Sequence, residues 1–255
     1  MSKFIVITSG KGGVGKTTTA VNLAAAMSAL DEDVALVDIN LSTPNVGLHL
    51  GAPVVPVTLN HVLARKADLV DAIYEHESGA KVIPASLSIK DLSALDEVNL
   101  TPILKDLRHV SEVVIFDSAA GLGSEATSAM AIADEVIIVT NPEMPAVTDA
   151  LKTAKLAESM GKTVRGVILT RVRGSKSEMP FPNIKEMLEL PILGIVPEDE
   201  AVQESLALRN AVFSTHPRSK AARSYLAIAG KLLGKEISPE LGFFDKLMVG
   251  LRLRR

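Results

Sequence analysis

Gly10-Lys11-Gly12-Gly13-Val14-Gly15-Lys16-Thr17 decides how this chain is read. The stretch fits G-x-x-x-x-G-K-[ST] without a mismatch. It lies between an apolar run ending at Thr8 and a helical pattern beginning near Lys16. Its glycines let the backbone curl so that successive N–H groups converge, and the helix that follows adds its positive N-terminal end. Such a cradle takes phosphate. Lys16 is placed to reach the β- and γ-phosphates of a nucleotide, and the Thr17 hydroxyl to ligate Mg²⁺.

Outward from this loop, short β-branched runs alternate with helical patterns. Strands are expected over 4–8, 34–38, 81–84, 113–117, 136–140, 164–170 and 192–196. Helices are expected over 16–30, 58–63, 68–74, 102–109, 124–132, 145–160, 184–188, 201–208 and 220–233. The strand runs are nearly all apolar, as in parallel strands covered on both faces. The fold class is therefore α/β: a three-layer P-loop NTPase with a mostly parallel central sheet and helices on both faces. Ligands of such sheets sit at the carboxyl ends of the strands. The run over 113–117 ends in Asp117. A carboxylate there can hold Mg²⁺ through water, and its alternative reading is an ordinary turn Asp.

Composition removes several other classes. The chain has 255 residues, 27 Lys plus Arg and 30 Asp plus Glu, for a net charge of −3. A globally basic nucleic-acid binder is not indicated. With no Cys, disulfides, thiolate metal sites and a Cys nucleophile are excluded. The five His show no metal-ligand spacing and read as structural or surface groups. Ser2-Lys3 leads straight into the first strand with no signal-peptide pattern, and no apolar run is long enough to span a bilayer. The expectation is a cytoplasmic protein, peripheral at most on the inner face of the cell membrane. Three parts are expected: a nucleotide domain over 1–234, a polar linker over 235–240 and a terminal amphipathic helix over 241–255.

Lys11 occupies a variable position of the ordinary motif. From spacing alone it reads equally well as a solvated Lys. Lys11-Gly12-Gly13-Val14-Gly15-Lys16-Thr17-Thr18, however, resembles the deviant Walker A motif of the MinD/ParA ATPases. Phe116-Asp117-Ser118-Ala119-Ala120-Gly121, Thr140-Asn141-Pro142-Glu143, Leu169-Thr170-Arg171 and Val196-Pro197-Glu198-Asp199 extend the resemblance over most of the chain, closest to the MinD branch. The resemblance implies ATP/ADP and Mg²⁺ as ligands and a homodimer formed on ATP. It implies that Lys11 reaches the partner copy's phosphates, like an arginine finger supplied in trans. It places Gly10 to Thr18 on the phosphates and Arg171, Pro197 and Asp199 around adenine, although Arg171 also reads as a solvated loop residue. Glu143 and Asp149 fall in a dimer- or partner-contact region, or are carboxylates drawn to a helix N-terminus. Asp38 and Asn40 match the family's first switch, Asp38 being a partner of the Mg²⁺ waters. The family pattern there is Asp-x-Asp, and Asn40 replaces the second Asp. Asn can hydrogen-bond a water but not take its proton, so Lys11, Lys16, Asp38 and Asn40 are expected to form a slow ATPase site.

At the C-terminal end, Phe243, Phe244, Leu247, Met248 and Leu251 supply an apolar face, and Arg252, Arg254 and Arg255 supply charge. This reads as a basic amphipathic helix for a lipid surface, similar in place and type to a MinD membrane tail, or else as a tail that docks on protein. The functional expectation is a MinD-like switch that dimerises on ATP, associates with membrane and recruits a protein partner. The alternative is a ParA-like ATPase on non-specific DNA, with Arg218, Lys220 and Arg223 as its candidate patch. Specific nucleic-acid recognition is disfavoured.

Overall fold

The structure is a computed structural model, described for residues 2–93, 99–235 and 237. The terminal segment over 241–255, with every residue assigned above to lipid, lies outside the described residues.

Among the described residues, eight strands build one sheet: β1 Lys3–Ser9, β2 Val34–Asp38, β3 Tyr74–Glu75, β4 Lys81–Ile83, β5 Val113–Ala120, β6 Glu135–Thr140, β7 Thr163–Val172 and β8 Ile192–Pro197. Eleven α-helical segments accompany them among the described residues: α1 Lys16–Ala29, α2 Val46–His49, α3 Leu59–Leu63, α4 Ile89–Ser93, α5 Leu104–Leu107, α6 Ser124–Ile132, α7 Met144–Ser159, α8 Phe181–Leu188, α9 Glu200–Ala207, α10 Val212–Thr215 and α11 Lys220–Leu233. The sheet order is β3-β4-β2-β5-β1-β6-β7-β8, and only β3 runs antiparallel to its neighbour. From β1 the chain travels to one side of the sheet, returns at β5, and continues from β6 to the other side. Two crossovers therefore diverge around β1, and the carboxyl ends of β1, β2 and β5 open on one crevice.

Residue alternation explains why the strands read as unbroken apolar runs. Ile5 and Ile7 of β1, Leu36 of β2 and Ile115 of β5 face one core with α1, α10 and α11. Phe4, Val6, Val37, Val114 and Phe116 face a second core with α6, α7 and α8. Helix α1 is buried on almost every side, which suits its Ala-rich sequence and lack of a polar face. Small side chains let it lie between the sheet and α11. Helix α11 has an ordinary amphipathic pattern, starts at a Ser219 side-chain cap and ends at Gly234 with φ of 67°.

All seven expected strands form. The expected helix over 68–74 does not: a 3₁₀ turn spans Leu69–Ala72, and Tyr74 enters the edge strand β3. The expected helix over 102–109 is a 3₁₀ turn, Thr101–Ile103, followed by the single turn α5. Helices α2, α4 and α10 add to the expected set. Two residues read as linker pack on the domain. Lys235 Nζ reaches the Leu30 carbonyl and Glu32, and Ile237 lies against the α1/α11 core.

Candidate functional site

The loop from Gly10 to Gly15 leaves β1 and turns directly into α1. Gly15 caps the helix with φ of 89°, a conformation that a side chain would strain. Gly10 meets the neighbouring element instead: a Cβ there would sit on the Asp149 backbone carbonyl of α7. The Ser9 hydroxyl donates to the Lys11 carbonyl at 3.0 Å, and the Thr170 hydroxyl to the Val14 carbonyl at 2.6 Å. The loop is thus held from β1, from α7 and from β7.

At its end, Lys16 Nζ lies 3.0 Å from Asp117 Oδ1, and the Thr17 hydroxyl donates to Asp117 Oδ2 at 2.6 Å. Asp117 has no exposure and Lys16 only 8%. A buried Lys–Asp pair with a hydroxyl alongside brings together a phosphate-seeking cation and two hard oxygen ligands. Mg²⁺ takes one or two such protein oxygens and fills the rest of its octahedron with water and phosphate. The donor set and the glycine cradle fit a magnesium-bound nucleotide.

Asp38, at the end of β2, is also fully buried. Its Oδ1 accepts the Asn40 N–H, and its Oδ2 accepts those of Asn45 and Val46, at 3.0–3.1 Å. It therefore holds the whole segment from β2 to α2. Burial first, and the Asp117 charge second, push its carboxyl up to about 7, against the pull of those three N–H groups. Asn40 is buried too. Its amide donates to the Thr43 carbonyl at 2.6 Å and accepts from the Thr43 hydroxyl at 3.0 Å. The residue expected to orient water has both amide atoms engaged by Thr43.

A cavity of about 410 Å³ opens over this cluster, walled by Gly12, Gly13, Gly15, Lys16, Thr17, Thr18, Asn40, Ala120 and Arg171. A second, of about 150 Å³, continues beside it, with Val196, Pro197, Val202, Leu206 and Tyr225 as its apolar lining. Arg171 stands between the two, in the left-handed region with φ of 53°. Asp199 borders the smaller cavity, but its Oδ1 accepts from Ala201 N and its Oδ2 from Ala221 N. Its carboxylate joins α9 to α11 and is not directed at a base.

Lys11 stands apart from the Lys16 cluster. It is half exposed, with Nζ 3.8 Å from the exposed carboxylate of Glu143. Glu143 occupies the cap position of α7 without a side-chain cap bond. Asp149 lies further along α7, beyond the first turn, and pairs with Lys152 at 3.3 Å. The helix-dipole alternative therefore does not describe Asp149.

The sequence reading missed Thr43, Asn45 and His49, which line the larger cavity. His49 Nδ1 lies 2.9 Å from the Asn45 carbonyl oxygen and Nε2 lies 3.4 Å from the Thr18 hydroxyl. Burial lowers its pKa below the ordinary histidine value. The only local signal for it is the i, i+4 spacing from Asn45.

A strand, glycine cradle and helix with a buried Lys–Thr–Asp cluster define a P-loop nucleotide-binding protein. The CobQ/CobB/MinD/ParA nucleotide binding domain model matches residues 5–211. The chain belongs to this MinD/ParA family. It is 38% identical over 260 residues to an uncharacterized ATP-binding protein of Methanocaldococcus jannaschii, covering 100% of this chain and 98% of that one. It is 32% identical over 252 residues to the septum site-determining protein MinD of a Synechocystis species, covering 95% and 93%. Among solved structures, MinD of Pyrococcus horikoshii in complex with Mg-ADP superposes with a TM-score of 0.87 at 33% identity, covering 91% of this chain and 96% of that one.

Proposed function

We propose that this protein is a MinD-like, ATP-gated switch. It binds ATP and ADP with Mg²⁺, hydrolyses ATP slowly, dimerises on ATP and uses the dimer to recruit a protein partner at a membrane. The observation that carries this reading is the division of labour between the two lysines. Lys16 is buried against Asp117, whereas Lys11 stands at the half-exposed lip of the same loop. A cation on the lip is positioned to serve a second copy's phosphates.

Within one chain, Lys16 and the loop N–H groups bind phosphate, and Thr17 and Asp117 hold the metal. Bound Mg²⁺ supplies positive charge that offsets the phosphate oxygens. Asp38 fixes the segment that carries Asn40. With its amide tied to Thr43 and no carboxylate to take a proton, Asn40 leaves turnover slow. The lipid-binding part of the proposal rests on the amphipathic sequence of 243–255. One such tail binds weakly, and two on one dimer gain avidity of about 10²–10⁴.

Sizing and liposome flotation with ADP, with ATP and without nucleotide test the scheme. A monomer with ADP and a vesicle-bound dimer with ATP are expected, the vesicle binding being lost when 241–255 is removed. A chain that stays monomeric with ATP, or floats equally without its tail, overturns the corresponding part. The ParA-like alternative draws on Arg218, Lys220 and Arg223, which are exposed around the start of α11. It requires DNA binding with a steep salt dependence, and the net charge of −3 weighs against it.

A further inference from the structure

The two cavities share a wall formed by Gly15, Thr18, Arg171 and Leu206. On the nucleotide reading above, on which this inference rests, phosphates occupy the larger cavity and the base the smaller apolar one. The sugar then crosses the shared wall. His49 belongs to the larger cavity and approaches that wall through Thr18, with Nε2 3.4 Å from the Thr18 hydroxyl.

Hydrogen-bond chemistry settles which way the ring works. Nδ1 faces the Asn45 backbone carbonyl at 2.9 Å, and a carbonyl oxygen only accepts. Nδ1 therefore carries the ring hydrogen, and Nε2 of the neutral ring is an acceptor at the cavity edge, beside the Thr18 hydroxyl at 3.4 Å, a distance long enough for a ligand hydroxyl to compete for its lone pair. A lone pair is repelled by phosphate oxygens, which are acceptors themselves. It is matched by a hydroxyl. Among the groups of ADP or ATP at neutral pH, the hydroxyl donors are those of the ribose. Burial keeps the ring in this neutral form, against the opposite pull of the Asn45 carbonyl and the Asp117 charge, with Lys16 adding a smaller push in the same direction as burial. His49 lies at the end of the segment whose Asn45 and Val46 N–H groups Asp38 anchors, and its ring is oriented by the Nδ1 contact with the Asn45 carbonyl.

We propose that His49 reads the sugar of the bound nucleotide: its Nε2 accepts a hydrogen bond from a ribose hydroxyl and makes the site prefer ribonucleotides to deoxynucleotides.

The test is binding of ADP, 2′-deoxy-ADP and 3′-deoxy-ADP to the full chain and to His49→Leu, His49→Gln and Lys16→Ala. One neutral hydrogen bond corresponds to a preference of about 3- to 10-fold for ADP over the analogue lacking the contacted hydroxyl. His49→Leu should erase that preference by weakening ADP while leaving the deoxy analogue within about 2-fold, and His49→Gln, with an acceptor at similar reach, should restore part of it. A histidine that merely braces α2 would weaken all three ligands alike. The proposal is overturned if the parent chain shows no preference for either hydroxyl, or if the preference survives in His49→Leu. Lys16→Ala should weaken all three nucleotides together. If it weakens none, the nucleotide reading itself fails, independently of His49.

Discussion

Lys16 and Asp117 form a buried ion pair, with Nζ 3.0 Å from Oδ1 and side chains 8% and 0% exposed. Neither partner has another opposite charge at this distance among the described residues. Removing the carboxylate leaves an ammonium in a low-dielectric site and frees the Thr17 hydroxyl as well. Loss of one member of a buried pair costs about 3–5 kcal/mol. Asp117→Ala should therefore lower the stability of the nucleotide-free protein by that order in urea titrations and abolish the Mg²⁺ dependence of ADP binding. A loss below about 1 kcal/mol would mean that Lys16 relaxes to solvent when its partner is removed.

Asp38 gives the site a pH signature of opposite sign to ordinary acid denaturation. Its carboxyl titrates near 3.8 in the unfolded chain and near 7 in the folded one, raised chiefly by burial. Between those values the folded state holds more protons, so the Asp38 contribution to stability falls as pH rises and levels off above about 7. The slope for one proton is at most about 1.4 kcal/mol per pH unit. His49 and His76 are both lowered by burial and act the other way below their ordinary value of 6.5. The difference between the parent chain and Asp38→Asn isolates the carboxyl. Urea denaturation of the nucleotide-free pair at several pH values should show the falling component in the parent alone. Parallel profiles would mean that Asp38 stays ionised on its three N–H donors.

Much of this site is legible in one dimension because its chemistry is local. The cradle is eight consecutive residues, and Asp117 and Asp38 each end an apolar run that is buried on both faces. Strand β3 escapes because it is two residues of antiparallel edge, without the length that reveals a period. Helices α2, α4 and α10 span only four or five residues each and carry no periodic signal either. His49 escapes for a different reason. It meets Thr18 across 31 residues, through the segment that Asp38 ties down, and no spacing rule links the two. The diversion of Asp199 to α9 and α11 is likewise a tertiary event, since Ala221 lies 22 residues away.

Asn40 and Thr43 exchange two hydrogen bonds that engage both atoms of the amide. Asn40→Asp removes the donor to the Thr43 carbonyl and sets a carboxylate against that carbonyl, which drives the side chain off Thr43 and into the cavity. There it can accept a proton. General-base help contributes about 10²–10⁴-fold in favourable cases. The third carboxylate is placed near Asp38 and Asp117, so at least about 10-fold faster steady-state ATP turnover is the expected gain. Phosphate release no faster than in the parent chain would show that Asn40 does not limit hydrolysis. Thr43→Ala frees the amide without adding a base and should change turnover far less.

Substitution of Lys11 tests binding and assembly separately. Its side chain is 47% exposed, and its pair with Glu143, at 3.8 Å between two exposed groups, contributes about 0–1 kcal/mol. Lys11→Ala should therefore leave monomer stability unchanged and ADP affinity within about 3-fold. If Lys11 serves a second copy's phosphates, the same substitution should prevent the ATP-dependent dimer measured by light scattering. Glu143→Ala removes the intramolecular competitor for the Lys11 ammonium, so that variant should dimerise at equal or lower ATP concentration than the parent. A Lys11→Ala chain that dimerises on ATP as the parent does would assign Lys11 to the surface, leaving Lys16 as the loop's phosphate-binding lysine.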